Sequence, residues 1–103
     1  MFGMDQERWL ARCLSEPARA RWLVLGQQLM FSPFVRKSAS RTGFDTDGWG
    51  GYAAAHQQIL DLIAARQNRD TVVLGGDVHG FIASDVPRRR DKAGSEPVAT
   101  HIV

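Results

Sequence analysis

The stretch Thr71-Val-Val-Leu-Gly-Gly-Asp-Val-His-Gly-Phe-Ile-Ala-Ser-Asp85 decides how the rest of the chain is read. It opens with a short apolar, β-branched run, the pattern of a buried strand. Gly75 and Gly76 end that strand without side chains. Asp77 and His79 follow at an i, i+2 spacing, with Gly80 behind them, and a second apolar segment over 81–86 leaves the turn. In open α/β sheets, ligands gather at the carboxyl ends of the strands. A carboxylate and an imidazole released there, among glycines that permit close approach, have the chemistry of a metal turn. The same spacing also suits a turn capped by Asp77 with His79 on the surface, and spacing by itself leaves both readings open.

Upstream, the pattern predicts a helix over 5–16. Asp5 is its expected N-cap and Glu7 sits in the first turn, where the helix dipole favours an acid. Trp9, Leu10, Cys13 and Leu14 recur at helical spacing, and Pro17 stops the run. Trp22-Leu-Val-Leu-Gly26 reads as a buried strand. Gln27 and Gln28 follow it, with amides that could face a ligand or satisfy neighbouring backbone. Residues 32–51 read as a polar loop of unusual length. Asp45 and Asp47 are expected to form turns, since the downstream glutamate of a calcium loop is missing. Trp49 is expected to dock this loop on the core or to wall a cleft.

A second helix is predicted over 52–67, with Tyr52, His56, Ile59, Leu60 and Ile63 on one face and His56 at its edge. The order strand, helix, strand implies a parallel βαβ unit. Segments 81–86 and 98–103 are expected to pair antiparallel across a polar loop over 87–96. His101, in the last strand, falls on either face.

Composition sets limits. The chain has 103 residues, one domain or part of one. Its single cysteine, Cys13, excludes an internal disulfide and is expected to be a buried thiol. The net charge is only +2, and Arg88-Arg-Arg90 is short and without interleaved aromatics, so it reads as a solvated loop and no nucleic-acid partner is expected. No segment has membrane-spanning length, and no signal peptide is visible. There is no P-loop, CxxC pair or GxSxG elbow, and Ser38 and Ser40 have no base nearby in sequence.

Several motifs in order carry a family likeness: Gly3-x-x-Gln6-x-x-Trp9-Leu10, Ala20-Arg-Trp22, Gln27-Gln28, Asp47-Gly-Trp49-x-Gly51-Tyr52, Val73-Leu-Gly-Gly-Asp77-Val-His79 and Pro97-Val-Ala-Thr100. Together they resemble the C-terminal part of the PhoD-type alkaline phosphatases, within the calcineurin-like metallophosphoesterases. The chain has Gly50, His56 and His101 where that family commonly has Asp, Arg and Glu. The resemblance implies an α/β fold: the C-terminal portion of a metallophosphoesterase αββα sandwich, as a β-α-β unit followed by a β-hairpin. It implies a metal-dependent phosphoesterase acting on phosphate esters, with iron and calcium, or another pair of ions, neutralising the phosphate and supplying a hydroxide. It makes His79 a metal ligand through a ring nitrogen and Asp77 a further ligand or the group that orients one. Trp49 and Tyr52 would line or support the phosphate-entry side.

The family's other ligand segments, of the types Asp-x-His, Gly-Asp-x-x-Asp and Gly-Asn-His, do not occur here. The remaining donors are Asp77 and His79, with Asp45, Asp47, Asp85 and His101 as further options. The expectation is therefore the last quarter or third of a catalytic domain, inactive alone, with open sheet edges that favour self-association. Full-length members of the family are periplasmic or secreted. The alternative is a non-catalytic small α/β module that binds a metal, an anion or a partner chain.

Overall fold

A computed structural model describes residues 3–17, 19–33, 35–38, 41–44, 47–66, 70–92 and 94–103. Helix α1 is Met4–Ser15, followed by strand β1, Trp22–Gly26. A hairpin of β2, Val35–Ser38, and β3, Arg41–Phe44, comes next. A single 3₁₀ turn, Trp49–Gly51, leads into α2, Ala53–Ala64. Strands β4, Asp70–Leu74, β5, Ala83–Pro87, and β6, Pro97–Ile102, complete the chain.

The main sheet has the order β1-β4-β6-β5. β1 and β4 run parallel, as the strand–helix–strand pattern implies, with Val24 opposite Val72. β5 and β6 form the expected antiparallel pair, with Ser84 opposite His101. The last strand inserts between β4 and β5 and runs parallel to β4, so Val73 also lies opposite His101. Directly opposed residues share a face, so Leu25, Val73, His101 and Ser84 point together to the helical side. That side carries the core: Phe31, Leu60, Val73 and Val86 are fully buried.

The helices differ from expectation at their ends. α1 takes Gly3 as its extended N-cap, without a side-chain cap bond, and Asp5 sits in the first turn. Only Leu10 and Leu14 of the apolar stripe are buried, whereas Trp9 is exposed. Cys13 is exposed too, not a buried thiol. Leu10 and Leu14 are the α1 side chains that join the core cluster with Ile59, Leu60 and Ile63 of α2. Arg66 closes the end of α1, donating from Nη1 to the Leu14 carbonyl at 2.8 Å. In α2, His56, Ile59, Leu60 and Ile63 are buried, and Tyr52 is the N-cap residue, still 44% exposed.

The long polar loop contains a β-hairpin that the sequence reading did not expect. Val35-Arg-Lys-Ser38 and Arg41-Thr-Gly-Phe44 have one apolar residue each, at their outer ends, so no period-two pattern is visible. The register sets Val35 opposite Phe44. Asp45 lies outside the described residues. β5 also starts later than predicted, at Ala83, leaving Phe81 81% exposed ahead of it. Ile82 and Val103 nevertheless exchange backbone bonds of 3.0 and 2.9 Å and extend the β5–β6 ladder by one pair.

Candidate functional site

The carboxyl ends of β1 and β4 meet one another and are tied together by Gln27. Its backbone N–H donates to the Leu74 carbonyl at 3.0 Å, continuing the parallel ladder. Its side-chain oxygen accepts from Leu29 N–H at 3.0 Å and from the Trp49 indole N–H at 3.1 Å. Its amide nitrogen donates to the carbonyls of Leu29 and Leu74. One side chain thus fixes the loop after β1, the end of β4 and the buried tryptophan of the 3₁₀ turn. Of the two roles open to Gln27 in the sequence, satisfaction of neighbouring backbone is the one the structure displays. Gln27→Ala would remove the acceptor that Leu29 N–H and the Trp49 indole N–H share, and the expected loss is about 2 kcal/mol, read by urea unfolding, with Trp49 emission moving to the red.

Gly75 is required at the close crossing of these segments. A Cβ there would stand 2.5 Å from the Leu29 carbonyl oxygen, 2.7 Å from His101 Nε2 and 2.9 Å from Gln27 Nε2. His101 is fully buried. The backbone N–H groups of Phe31 and Ser32 each lie 3.3 Å from one of its ring nitrogens. A neutral imidazole accepts at one nitrogen only, so a given tautomer makes one of the two bonds. A protonated ring would make neither. Burial, which penalises the charged ring, lowers the His101 pKa. His101 is a pin between β6 and the 31–32 segment, and Asp85, opposite Thr100, lies on the other face of the sheet.

The turn after Gly76 places Asp77 and His79 both in the left-handed region, with φ of 62° and 56°. Asp and His are among the non-glycine residues that tolerate this region, at a cost of about 1–3 kcal/mol each. The conformation brings His79 Nε2 to 3.8 Å from Asp77 Oδ1, with both side chains exposed. Imidazole and carboxylate are two donors of the right type for one ion. Among the described residues, no three His, Cys, Asp or Glu side chains converge in a way that could hold a metal. The pair therefore fits one edge of a metal site and not a whole one.

Beside this turn lies a cleft of about 260 Å³. Asp77 and Trp49 both line it, together with Asp47, Ser32, His56 and Arg90. His79 and Tyr52 are not among its lining residues. Trp49 is buried to 3% and meets Phe31 edge to face, with ring centroids 5.4 Å apart, so it both docks the loop and walls the cleft. Tyr52 serves α2 through its backbone, its carbonyl accepting from His56 N–H at 2.9 Å.

His56 and Arg90 are the residues that sequence reasoning underrated. His56 is 1% exposed, at the centre of the α2 face and not at its edge, with the Phe31 ring centroid 4.7 Å away. Neither ring nitrogen has a hydrogen-bond partner at bonding geometry. Its pKa is lowered to about 4, chiefly by burial and further by the Arg90 charge, against a smaller opposing effect of the Phe31 backbone. A histidine held neutral in the fold binds its proton more readily when unfolded. It therefore contributes stability that is full above about pH 6.5, declines as the pH falls, and is gone below about pH 4. At pH 5 the expected loss is about 2 kcal/mol. Chemical unfolding of the chain and of His56→Phe at pH 7.5 and 5 reads this difference, and the variant should lose less. Arg90 comes from the loop after β5, which the sequence reading left to solvent. Gln57 clamps that loop to α2, donating to the Arg88 carbonyl at 2.8 Å and accepting from Arg90 N–H at 3.2 Å. No local signal announces this, because the partners are thirty-three residues apart in sequence.

The comparisons agree with this geometry. Over 96 residues the chain is 31% identical to alkaline phosphatase D of Bacillus subtilis (strain 168), which covers 93% of this chain and 16% of that protein. A solved structure of PhoD superposes with a TM-score of 0.84 at 31% identity, over 98% of this chain and 19% of that one. The chain thus spans less than one fifth of the length of these relatives. The PhoD-like phosphatase family model matches residues 1–103, and the chain belongs to the PhoD-like phosphatase family.

Proposed function

We propose that this chain supplies one wall of a metal-dependent phosphoesterase site, in which His79 and Asp77 hold a metal ion. The observation that carries the reading is the turn after β4: a carboxylate and an imidazole 3.8 Å apart, both exposed, at the carboxyl edge of the sheet. His79 ligates through a ring nitrogen. Asp77 ligates beside it or orients it. A metal ion held by His79 and Asp77, iron or calcium by family likeness, would supply positive charge against the phosphate and a hydroxide near neutral pH. Trp49 walls the cleft beside this turn, and Tyr52 supports that wall by starting α2. The substrate class is a phosphomonoester or phosphodiester, as the family membership supports.

Two donors hold a metal weakly, so the 103 residues alone are expected to show little or no hydrolysis of a chromogenic phosphate ester, with or without iron and calcium. Clear metal-dependent turnover by this chain would overturn the reading of an incomplete site.

One observation also favours an interaction role. The sheet face opposite the helices exposes Trp22 and Val24 at 59% each, with Leu74 and Ile102 beside them. β1 and β5 are the edges of the sheet. Apolar faces and open edges of this kind favour association. No helix of the described residues is long and apolar enough to cross a membrane.

A further inference from the structure

We propose that His101 is a proton-operated latch on the cleft wall: a proton on its ring releases the segment over 29–33 and opens the cleft. The latch is independent of the phosphoesterase reading, since neither Asp77 nor His79 takes part in it. The segment forms one wall of the cleft, which Leu29, Met30, Phe31, Ser32 and Pro33 line. Side chains fasten it to the sheet. At its start, the Gln27 side chain accepts from Leu29 N–H at 3.0 Å. Toward its far end, the Ser32 and Ser84 hydroxyls share a hydrogen bond of 2.8 Å. Between these two, the backbone N–H groups of Phe31 and Ser32 face the two nitrogens of the His101 ring. Either neutral tautomer accepts one of them; the charged ring accepts neither and sets N–H against N–H. Of the three fastenings, only the imidazole changes its charge in the ordinary pH range.

The ring is enclosed on every side that the sheet supplies. Val73 of β4 and Ser84 of β5 lie directly opposite it, and both Val73 and His101 are fully buried. A Cβ at Gly75 would stand 2.7 Å from Nε2. A charged ring therefore reaches solvent by displacing the wall. Val73, Ser84, Gly75, Gln27, Phe31 and Ser32 carry no charge to stabilise a proton there. From α2, His56 meets the same Phe31 ring, at 4.7 Å between centroids against 6.5 Å for His101. The Phe31 backbone favours a proton on His56, so a proton there does not oppose the wall as one on His101 does. The charged groups Asp47, Asp77 and Arg90 line the cleft, and His101 is not among its lining residues. Burial lowers the His101 pKa from the ordinary 6.5 in the closed state, and opening returns it toward that value. Closure is thus full above 6.5 and weakens as the pH falls below it.

The test is amide hydrogen exchange of the whole chain by NMR, from about pH 7.5 to about pH 4.5, corrected for the intrinsic pH dependence of exchange. Protection at Phe31 and Ser32 is expected to fall by up to about tenfold per pH unit below 6.5, ahead of the amides of α2 and β4. His101→Gln keeps an uncharged acceptor, and this early fall should vanish in it. The later loss due to His56 should remain. Exchange of Phe31 and Ser32 in step with α2 and β4 at every pH marks global unfolding and would overturn the latch. So would an early fall that survives in His101→Gln. If that variant does not fold, as judged by its amide spectrum, the decision passes to the His101 ring C–H signals of the unaltered chain. They should shift with the same midpoint as the Phe31 and Ser32 amide signals. Separate midpoints, or a ring that stays neutral throughout the range, would equally overturn the proposal.

Discussion

Phe31→Ala is expected to cost the fold about 4 kcal/mol, within the usual range for deleting a buried phenyl ring. Phe31 has no exposed surface, and its ring meets Trp49 at 5.4 Å, His56 at 4.7 Å and His101 at 6.5 Å between centroids. It is the side chain on which the cleft wall, the second helix and the last strand all converge. A protein of this size holds roughly 5–15 kcal/mol in total, so the variant would retain little reserve. Urea unfolding followed by far-ultraviolet circular dichroism measures the loss. A change below about 1 kcal/mol would mean that the ring does not carry the packing described.

Gly75→Ala is the second large effect, and it acts by crowding where Phe31→Ala acts by emptying. The added methyl would meet a backbone carbonyl at 2.5 Å and the buried His101 ring at 2.7 Å. Neither can swing away as the end of a long side chain can, so the loop after β1 must separate from β4. About 3 kcal/mol is expected, at the upper end of overpacking costs. Gly80→Ala, four residues past Gly76 and with nothing within 4 Å of the added carbon, is the control. It should change stability by less than about 1 kcal/mol. Equal losses in both variants would point to backbone freedom and not to the close crossing at Gly75.

These residues mark what can be read from the sequence and what cannot. β1, β4, the second helix and the β5–β6 pair follow from apolar runs and helical spacing, which are local properties. The Gly-Gly-Asp-Val-His segment is legible as a turn for the same reason, and the family motifs carry the phosphatase assignment. The β2–β3 pair is silent because Val35-Arg-Lys-Ser38 and Arg41-Thr-Gly-Phe44 do not alternate apolar and polar residues in sequence. Cys13 shares the helical spacing of Leu10 and Leu14, and spacing alone does not tell which members of the stripe the core takes in. His56 and Arg90 escaped notice because their setting is made by contacts between distant segments. Arg90 in particular sits in a run of three arginines, where Arg89 does pair with exposed Asp91 at 3.1 Å as a solvated charge would.

The pairing of Asp77 and His79 remains the centre of the account. Both accept a left-handed backbone within three residues, and the reward proposed for that strain is a pair of donors facing one ion. Manganese added to the isotopically labelled chain tests this most directly, through the broadening it causes in nearby amide signals. The account predicts weak, selective broadening at residues 77–80 that disappears in His79→Ala. Broadening that ignores these residues, or that persists unchanged in both His79→Ala and Asp77→Asn, would contradict it.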